Sequence, residues 1–322
     1  MASQLNKAAM PGPVSNRRAV IDVGTNSVKL LIGDVAGGMI TPVSETSRQT
    51  RLGAGFYGTR RLQHSAIELT ADAVADFSKT ASKWGAAPVR VIATSAARDA
   101  LNVNELTDAI RRGCGLETEV LSGDKEAEWV FRGVTTNPKL AQSPVLILDV
   151  GGGSTEIIVG DHAAPQFRSS HGLGTVRLLE QMQPGDPPGL KALALCRAWL
   201  RDFLKTEVAP LLKPILDVWR PVRLVGAGGT ATLLARMAAK MTGFDRDKIE
   251  ATTLTLESIR HELESQWQMT QAQRRKIAGL PPDRSDVILT GVAIYESIME
   301  EFGFKDLAVS TRGLRYWALL QR

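Results

Sequence analysis

A chain of 322 residues that is 43% hydrophobic and 23% charged has an ordinary globular composition and is long enough for two domains, each with its own core. No apolar run approaches the ~18 residues of a membrane span, and the opening MASQLNKAAMPGPVSNRR lacks the apolar centre of a secretion signal, so neither a membrane protein nor an exported one is expected. The net charge of +5 points to an anionic partner, and the lack of interleaved aromatic and basic residues favours a polyanion or a phosphorylated small molecule over nucleic acid.

Residues 1–16 read as a loose arm. Residues 18–23 predict a first strand, 28–35 its partner and 39–47 a third; Gly24, Thr25, Asn26 and Ser27 make the turn between the first two, directly after Asp22. From 46 to 61 the pattern dissolves into TSRQTRLGAGFYGTRR, a loop that either carries Arg48 and Arg51 to an anion or lies solvated. Ile67, Val74, Phe77, Ala81 and Trp84 recur at helical spacing, which predicts an amphipathic helix over 63–84 with Trp84 in the core. A strand at 89–93 runs into Thr94 and Ser95 and a helix ending near 112; the hydroxyls and N–H groups at that junction, with Arg98, suit an anion or an ordinary helix cap. A strand at 117–121 leads through Ser122-Gly123-Asp124 into a helix over 125–134. Glu126 then lies in its first turn, where the helix dipole favours the ionised form. It is either a base pointing into a cleft or a first-turn stabiliser, while Glu128 faces elsewhere.

Pro138 and Pro144 break a polar stretch and mark a domain boundary. The stretch VLILDVGGGSTEIIVG at 145–160 is a strand, a triple-glycine turn and a return strand. Backbone N–H groups of Gly151, Gly152, Gly153 and Ser154, followed by Thr155, can close on phosphate oxygens because no glycine carries a Cβ. Asp149 and Glu156 at the two ends would hold a hard cation. Laid without gaps over residues 149–161, residues 22–34 match at Asp, Val, Gly, Ser, Gly and Asp. A repeat so widely spaced is too long for a solenoid and fits two related domains. Two such turns facing one another would make a cleft.

Beyond the hairpin the pattern gives a strand at 166–171 and a helix opened by Gly172-Leu-Gly-Thr-Val-Arg177 and ending at 182. A long helix over 190–211 would bury Leu193, Leu195, Trp199, Leu200, Phe203 and Leu204. Residues 222–234 repeat the strand, glycine turn and helix, putting the N–H groups of Gly228, Gly229 and Thr230 at a helix N-terminus. The same residues fit a dinucleotide fingerprint, Gly226-x-Gly228-x-x-Ala231, but it comes late in the chain and no acidic residue closes a following strand. Helices over 255–267, 270–278 and 285–301 follow, with Asp286 facing the cleft or capping the last of them. A strand at 307–309, a turn at 310–313 and a helix through 320 complete the chain. His64, His162, His171 and His261 lack metal-ligand spacing, Cys114 and Cys196 are isolated thiols, and no Walker A, GxSxG or HExxH sequence occurs. The chemistry has to come from carboxylates.

Together these motifs resemble the exopolyphosphatase and guanosine pentaphosphate phosphohydrolase family of the actin, hexokinase and acetate kinase superfamily. The matching stretches are AVIDVGTNSVKLLI, VIATSAARDALN, VLSGDKEAEWVFRGV, LILDVGGGSTEIIVG, GLGTVRLLE, VGAGGTATLLA, DRSDVILTG and VSTRGLRYWALL, in the family's order. The resemblance implies an α/β fold of two ribonuclease H-like domains, residues 17–137 and 138–310, with mixed sheets flanked by helices, a cleft between them, and the helix within 311–322 packing back on the first. It implies Glu126 as the catalytic glutamate, Asp149, Gly151 and Glu156 as the phosphate and magnesium motif, and Asn26, Ser27 and Arg98 at the terminal phosphate. Asp22 joins the magnesium set, and Gly24, Thr25 and Ser95 join the phosphate contacts.

Two departures stand out: Thr25 replaces a commoner serine, and Tyr316 stands where a glutamate often follows GLR, which calls any role of that glutamate into question. The activity implied is magnesium-dependent release of orthophosphate from the end of polyphosphate, with guanosine pentaphosphate as the alternative substrate. No nucleic-acid or membrane partner, a cytoplasmic location and, by family habit, a homodimer go with it. Longer members add a helical domain, so a short two-domain form suited to shorter polyphosphate is expected. Rival readings are a kinase-like or actin-like assembly protein and a catalytically silent phosphate or alarmone sensor; the SGDKEA setting of Glu126 favours water activation over them.

Overall fold

The computed structural model describes residues 16–161 and 164–321, so the arm expected at the N-terminus lies almost wholly outside the described residues, as does His162. Strands β1 (Arg17–Val23), β2 (Ser27–Ala36), β3 (Met39–Gln49), β4 (Val89–Ala93) and β5 (Thr118–Val120) form one sheet in the order β3-β2-β1-β4-β5. Strands β6 (Val145–Val150), β7 (Thr155–Gly160), β8 (Pro165–His171), β9 (Arg223–Ala227), β10 (Thr253–Thr255) and β11 (Asp306–Val309) form a second in the order β10-β11-β9-β6-β7-β8. Each sheet opens with an antiparallel hairpin, and the hairpin's first strand then pairs in parallel with the next strand inward, β1 with β4 and β6 with β9. The registers repeat too: Asp22 lies opposite Lys29, and Asp149 opposite Glu156. The sequence repeat is therefore a repeat of architecture. Edge strand β10 is too short for its alternation to be read from sequence, because Thr-Leu-Thr offers one buried residue, Leu254.

The central strands are apolar on both faces because both faces are covered. On the first sheet, Ala19, Ile21 and Val23 pack with Ile67, Val74 and Phe77 of the His64–Lys83 helix and with Leu106 and Ile110 of the Val103–Cys114 helix. On the second, Leu146, Leu148 and Val150 pack with residues of the Gly189–Phe203, Leu256–Trp267 and Ile288–Phe302 helices. The alternate residues, Val20 and Leu31 from one sheet and Val145 and Ile147 from the other, meet in a shared third cluster. That cluster is filled by Ala127, Val130 and Phe131 of the Gly123–Val134 helix and by Leu314, Ala318 and Leu319 of the Leu314–Leu320 helix. The last helix touches β1, β2 and β3, and Arg18 Nη1 donates to the carbonyls of Leu319, Leu320 and Gln321 at its end. It thus packs against the first sheet.

Two core assignments from spacing are corrected. Trp84 is 46% exposed: the helix ends at Lys83, and at Trp84 the backbone has already left the helical path, so the indole does not continue the Val74, Phe77, Ala81 face. Leu195 is 69% exposed, because two residues from Leu193 lie about 200° round the helix, while Leu193, Cys196 and Leu200 share the buried stripe. The expected single helix is in fact Gly189–Phe203, a π turn at Leu204–Val208, and Ala209–Trp219.

The two helices of the shared layer meet backbone to backbone. A Cβ placed on Gly133 would fall on the carbonyl of Gly313, at the entrance to the last helix, and a backbone atom cannot swing aside. Gly133→Ala is therefore expected to destabilise the protein by about 1–3 kcal/mol, which outweighs the ~1 kcal/mol gained in helix propensity. A urea midpoint equal to or above the parent's would show that this contact is not tight.

Candidate active site

The C-terminal ends of the parallel strands β1, β4, β6 and β9 point to one place, where ligands collect in open α/β sheets. A cavity of about 680 Å³ opens there, walled by Asp22, Gly24, Thr25, Asn26, Ser27, Ser95, Glu126, Asp149, Gly151, Gly152, Gly153, Ser154, Glu156, Gly228, Gly229 and Thr230. Of the residues expected at the site, Arg98 and Thr155 are not on this wall. Thr155 is fully buried, and its Oγ1 donates to the Leu173 carbonyl at 2.6 Å, so it secures the hairpin from behind. Arg98 is turned away from the cavity and its Nη1 donates to Glu126 Oε2 at 2.7 Å.

The two hairpin turns are built alike and touch. Gly24 N donates to Ser27 O at 3.0 Å, and Gly151 N to Ser154 O at 2.9 Å. A Cβ on Gly152 would come within 2.9 Å of Thr25 Cβ and 3.3 Å of Asn26 N, so glycine there lets the turns approach. Around Gly153 gather the hydroxyls of Ser95, Tyr57 and Thr25. Ser27 Oγ and Ser95 Oγ are buried with no hydrogen-bond partner among the described residues, which is the state of a donor set awaiting an oxyanion. Behind Asp149, Gly228 adopts φ 76° at the start of the Gly228–Ala238 helix, and its missing Cβ leaves room for Asp149 Oδ1. Thr230 Oγ1 donates to Val150 O at 3.0 Å and ties that helix to β6.

Glu126 reaches the cavity from the first turn of the Gly123–Val134 helix, whose N-cap Ser122 accepts from Lys125 N at 3.2 Å. Burial pushes its carboxyl up to about 7; the Arg98 guanidinium pulls it back, and Asp149 and Asp22 add to the rise. Burial also raises Asp22 and Asp149 above the usual carboxylate range, opposed by Lys29 and Arg315, and lifts Glu156 well above it, reinforced by Glu126 and Asp149. Four carboxylates resisting ionisation in one cleft form a site that a cation would relieve. Asp22 Oδ1 is buried with no partner among the described residues. No group of three His, Cys, Asp or Glu side chains converges as a closed metal cage among the described residues. Magnesium takes one or two carboxylates and completes its shell with water and substrate phosphate, so one or two of Asp149, Glu156 and Asp22 would suffice for it without such a cage.

The cations of the cleft are what motif reading missed. Lys29, Arg236, Arg246, Arg284, Arg312 and Arg315 all line the cavity. Lys29 had a signal: in the repeat alignment it falls opposite Glu156, so the first hairpin carries a cation where the second carries an acid. Burial lowers its ammonium, with Asp22 opposing. Arg315 is held by Leu30 O at 3.3 Å and Glu45 at 3.4 Å. Tyr316 lies under the guanidinium groups of Arg246 and Arg312, 5.2 and 5.7 Å from its centroid. The loop arginines point elsewhere: Arg48 pairs with Asp76 at 2.8 Å, and Arg51 crosses to Asp286 at 2.9 Å, joining the two halves beside the cleft. Asp286 neither lines the cavity nor caps the Ile288–Phe302 helix, whose N-cap is Val287 without a side-chain bond; its carboxylate is taken by Arg51 and by the adjacent Val287 N, at 2.8 Å.

A model of the Ppx/GppA phosphatase family matches residues 31–320. Exopolyphosphatase 2 of Mycobacterium tuberculosis is 34% identical over 307 residues, covering 91% of this chain and 94% of its own. Among solved structures, an exopolyphosphatase from Cytophaga hutchinsonii superposes with a TM-score of 0.84 at 26% identity, covering 94% of this chain and 96% of its own. The Aquifex aeolicus member of the Ppx/GppA family superposes with a TM-score of 0.75 at 30% identity, with the same coverage of 94% and 96%.

Proposed function

From the premise that the chain belongs to the Ppx/GppA phosphatase family, we propose that it is an exopolyphosphatase, a phosphoric anhydride hydrolase that removes the terminal phosphate of inorganic polyphosphate as orthophosphate. The observation that carries this reading is the meeting of two glycine turns beside a buried glutamate whose proton affinity is tuned to neutral pH. The N–H groups at the tips of the two turns, Thr25 and Asn26 in the first and Gly152 and Gly153 in the second, with the hydroxyls of Thr25, Ser27 and Ser95, bind the terminal phosphate oxygens, while the Gly24 and Gly151 N–H groups close the turns themselves. Glu126 takes a proton from water as the new O–P bond forms and the bridging P–O bond breaks; the shortened chain leaves as an oxyanion. Arg98 acts as a positioning residue that fixes the Glu126 carboxylate. Asp149, Glu156 and Asp22 would hold magnesium, which supplies neutralisation of charge on the phosphate. Lys29, Arg284 and Arg315 stabilise the remaining chain.

The reading includes the division into halves at residues 17–137 and 138–310, and a cytoplasmic setting consistent with the free thiols Cys114 and Cys196. No helix of the described residues is long and apolar enough to cross a membrane.

Because kcat/KM reports the free enzyme, and the base must be ionised, activity is expected to rise with pH through a limb centred near the Glu126 value of about 7. A profile flat from pH 5 to 9 would remove Glu126 from that step. One observation favours a second substrate, guanosine pentaphosphate: the cavity also presents Val43, Leu233 and Phe244, surface that polyphosphate does not need and a base could cover. Orthophosphate release from polyphosphate and from guanosine pentaphosphate, measured side by side, tests both. Preference for the first supports the exopolyphosphatase reading, preference for the second replaces it, and release from neither ends both.

A further inference from the structure

A second cavity, of about 400 Å³, adjoins the first, and the partition between them is made of Ser154 and of paired side chains, one facing each cavity. Ser154 lines both. Arg98 lines the rear cavity while its partner Glu126, 2.7 Å away, lines the front. Ser170 lines the rear, and its Oγ donates at 2.8 Å to Glu156 Oε1, which lines the front. The rear wall carries three guanidinium groups, from Arg98, Arg168 and Arg177, against the carboxylates of Asp99 and Asp124. Arg168 and Arg177 side chains remain 36% and 28% exposed, so each keeps N–H donors open to a small oxyanion.

We propose that this rear cavity is the exit for orthophosphate. The inference rests on the exopolyphosphatase reading and on a steric consequence of it. An enzyme that cuts the end of a polymer seated in the front cleft makes its product at the blind end, between the Glu126 wall and the new chain terminus. While the chain stays bound, the front opening is filled by the chain itself, and orthophosphate leaves by another way. Breaking the Arg98 contact to Glu126 and the Ser170 contact to Glu156 opens the partition by side-chain rotation alone, and Arg168 and Arg177 receive the anion on the far side. A substrate too short to stay bound after one cut vacates the front and makes the rear exit unnecessary.

The test compares long-chain polyphosphate with tripolyphosphate in two variants. Gly172 lies at the rear cavity's edge, is exposed, and has Arg177 Nη1 as the nearest atom to an added Cβ, at 3.4 Å. Gly172→Trp therefore hangs an indole at the rear opening beside Arg177, and because Arg177 Nε donates to the front-turn Gly153 O at 2.9 Å, the tripolyphosphate rate reports whether the front turn is disturbed. Arg168→Glu keeps the opening but reverses its charge. With product release made limiting, both variants should lose about tenfold in turnover on long-chain polyphosphate and stay within about twofold of the parent on tripolyphosphate. Equal loss on the two substrates, or loss on neither, with melting temperatures unchanged, overturns the exit. Failure of the parent protein to release orthophosphate from either substrate overturns the activity reading instead.

Discussion

Glu126→Gln should release orthophosphate from polyphosphate about 10²–10⁴-fold more slowly than the parent, the usual contribution of a positioned general base. The substitution is nearly isosteric, and the new side-chain carbonyl can still accept from Arg98 Nη1, which donates to Glu126 Oε2 at 2.7 Å. The fold and the partition behind the site are therefore preserved while the proton acceptor is lost. Polyphosphate affinity should be unchanged or tighter, because a negative charge beside the bound phosphate has been removed. The pH limb near 7 should disappear with the carboxyl that causes it. Parent-like turnover in this variant would show that another group activates water, and a matching loss of affinity would make Glu126 a binding residue.

Asp149→Asn is the second large effect. Asp149 faces Glu156 across the second hairpin and lies against the Gly228 turn, so its carboxylate is fixed from two sides. A carboxamide keeps the shape and removes the charge that holds magnesium. Half-maximal activity should need at least about 10–100-fold more magnesium, the loss already typical of removing a residue that only supports a metal ligand. A readout independent of turnover is available: magnesium should raise the melting temperature of the parent by binding the native state, and do so far less in the variant. Identical magnesium titrations in both assays would mean the metal is held elsewhere.

The architecture was legible because the sequence states it twice. Asp22 to Asp34 and Asp149 to Asp161 share residues at equal spacing; the hairpins they form share a register, and the five strands of the first sheet have counterparts in the same order in the second, which adds β10 at its edge. Glycine turns reveal themselves because few residues replace glycine where backbones approach as closely as Gly152 does to Thr25. The cations were not legible. Arg246, Arg284 and the pair Arg312 and Arg315 come from three separate segments of the last third of the chain, and one-dimensional spacing does not distinguish an arginine turned into a cleft from one on a surface. Arg98 shows the same limit from the other side, since its place near the site was evident but its partner, Glu126, was not. Trp84 and Leu195 failed for a local reason, a helix end and a wrong face, which periodicity alone does not resolve.

The central claim is that water attacks the terminal phosphorus held between the two turns. Hydrolysis of polyphosphate in ¹⁸O-labelled water tests it most directly, with the products of a single turnover separated before counting the label. One labelled oxygen in each released orthophosphate, and none at the new end of the shortened chain, is the predicted result. Label on the chain terminus, or fragments larger than orthophosphate as first products, would place the attack at a different phosphorus and contradict it.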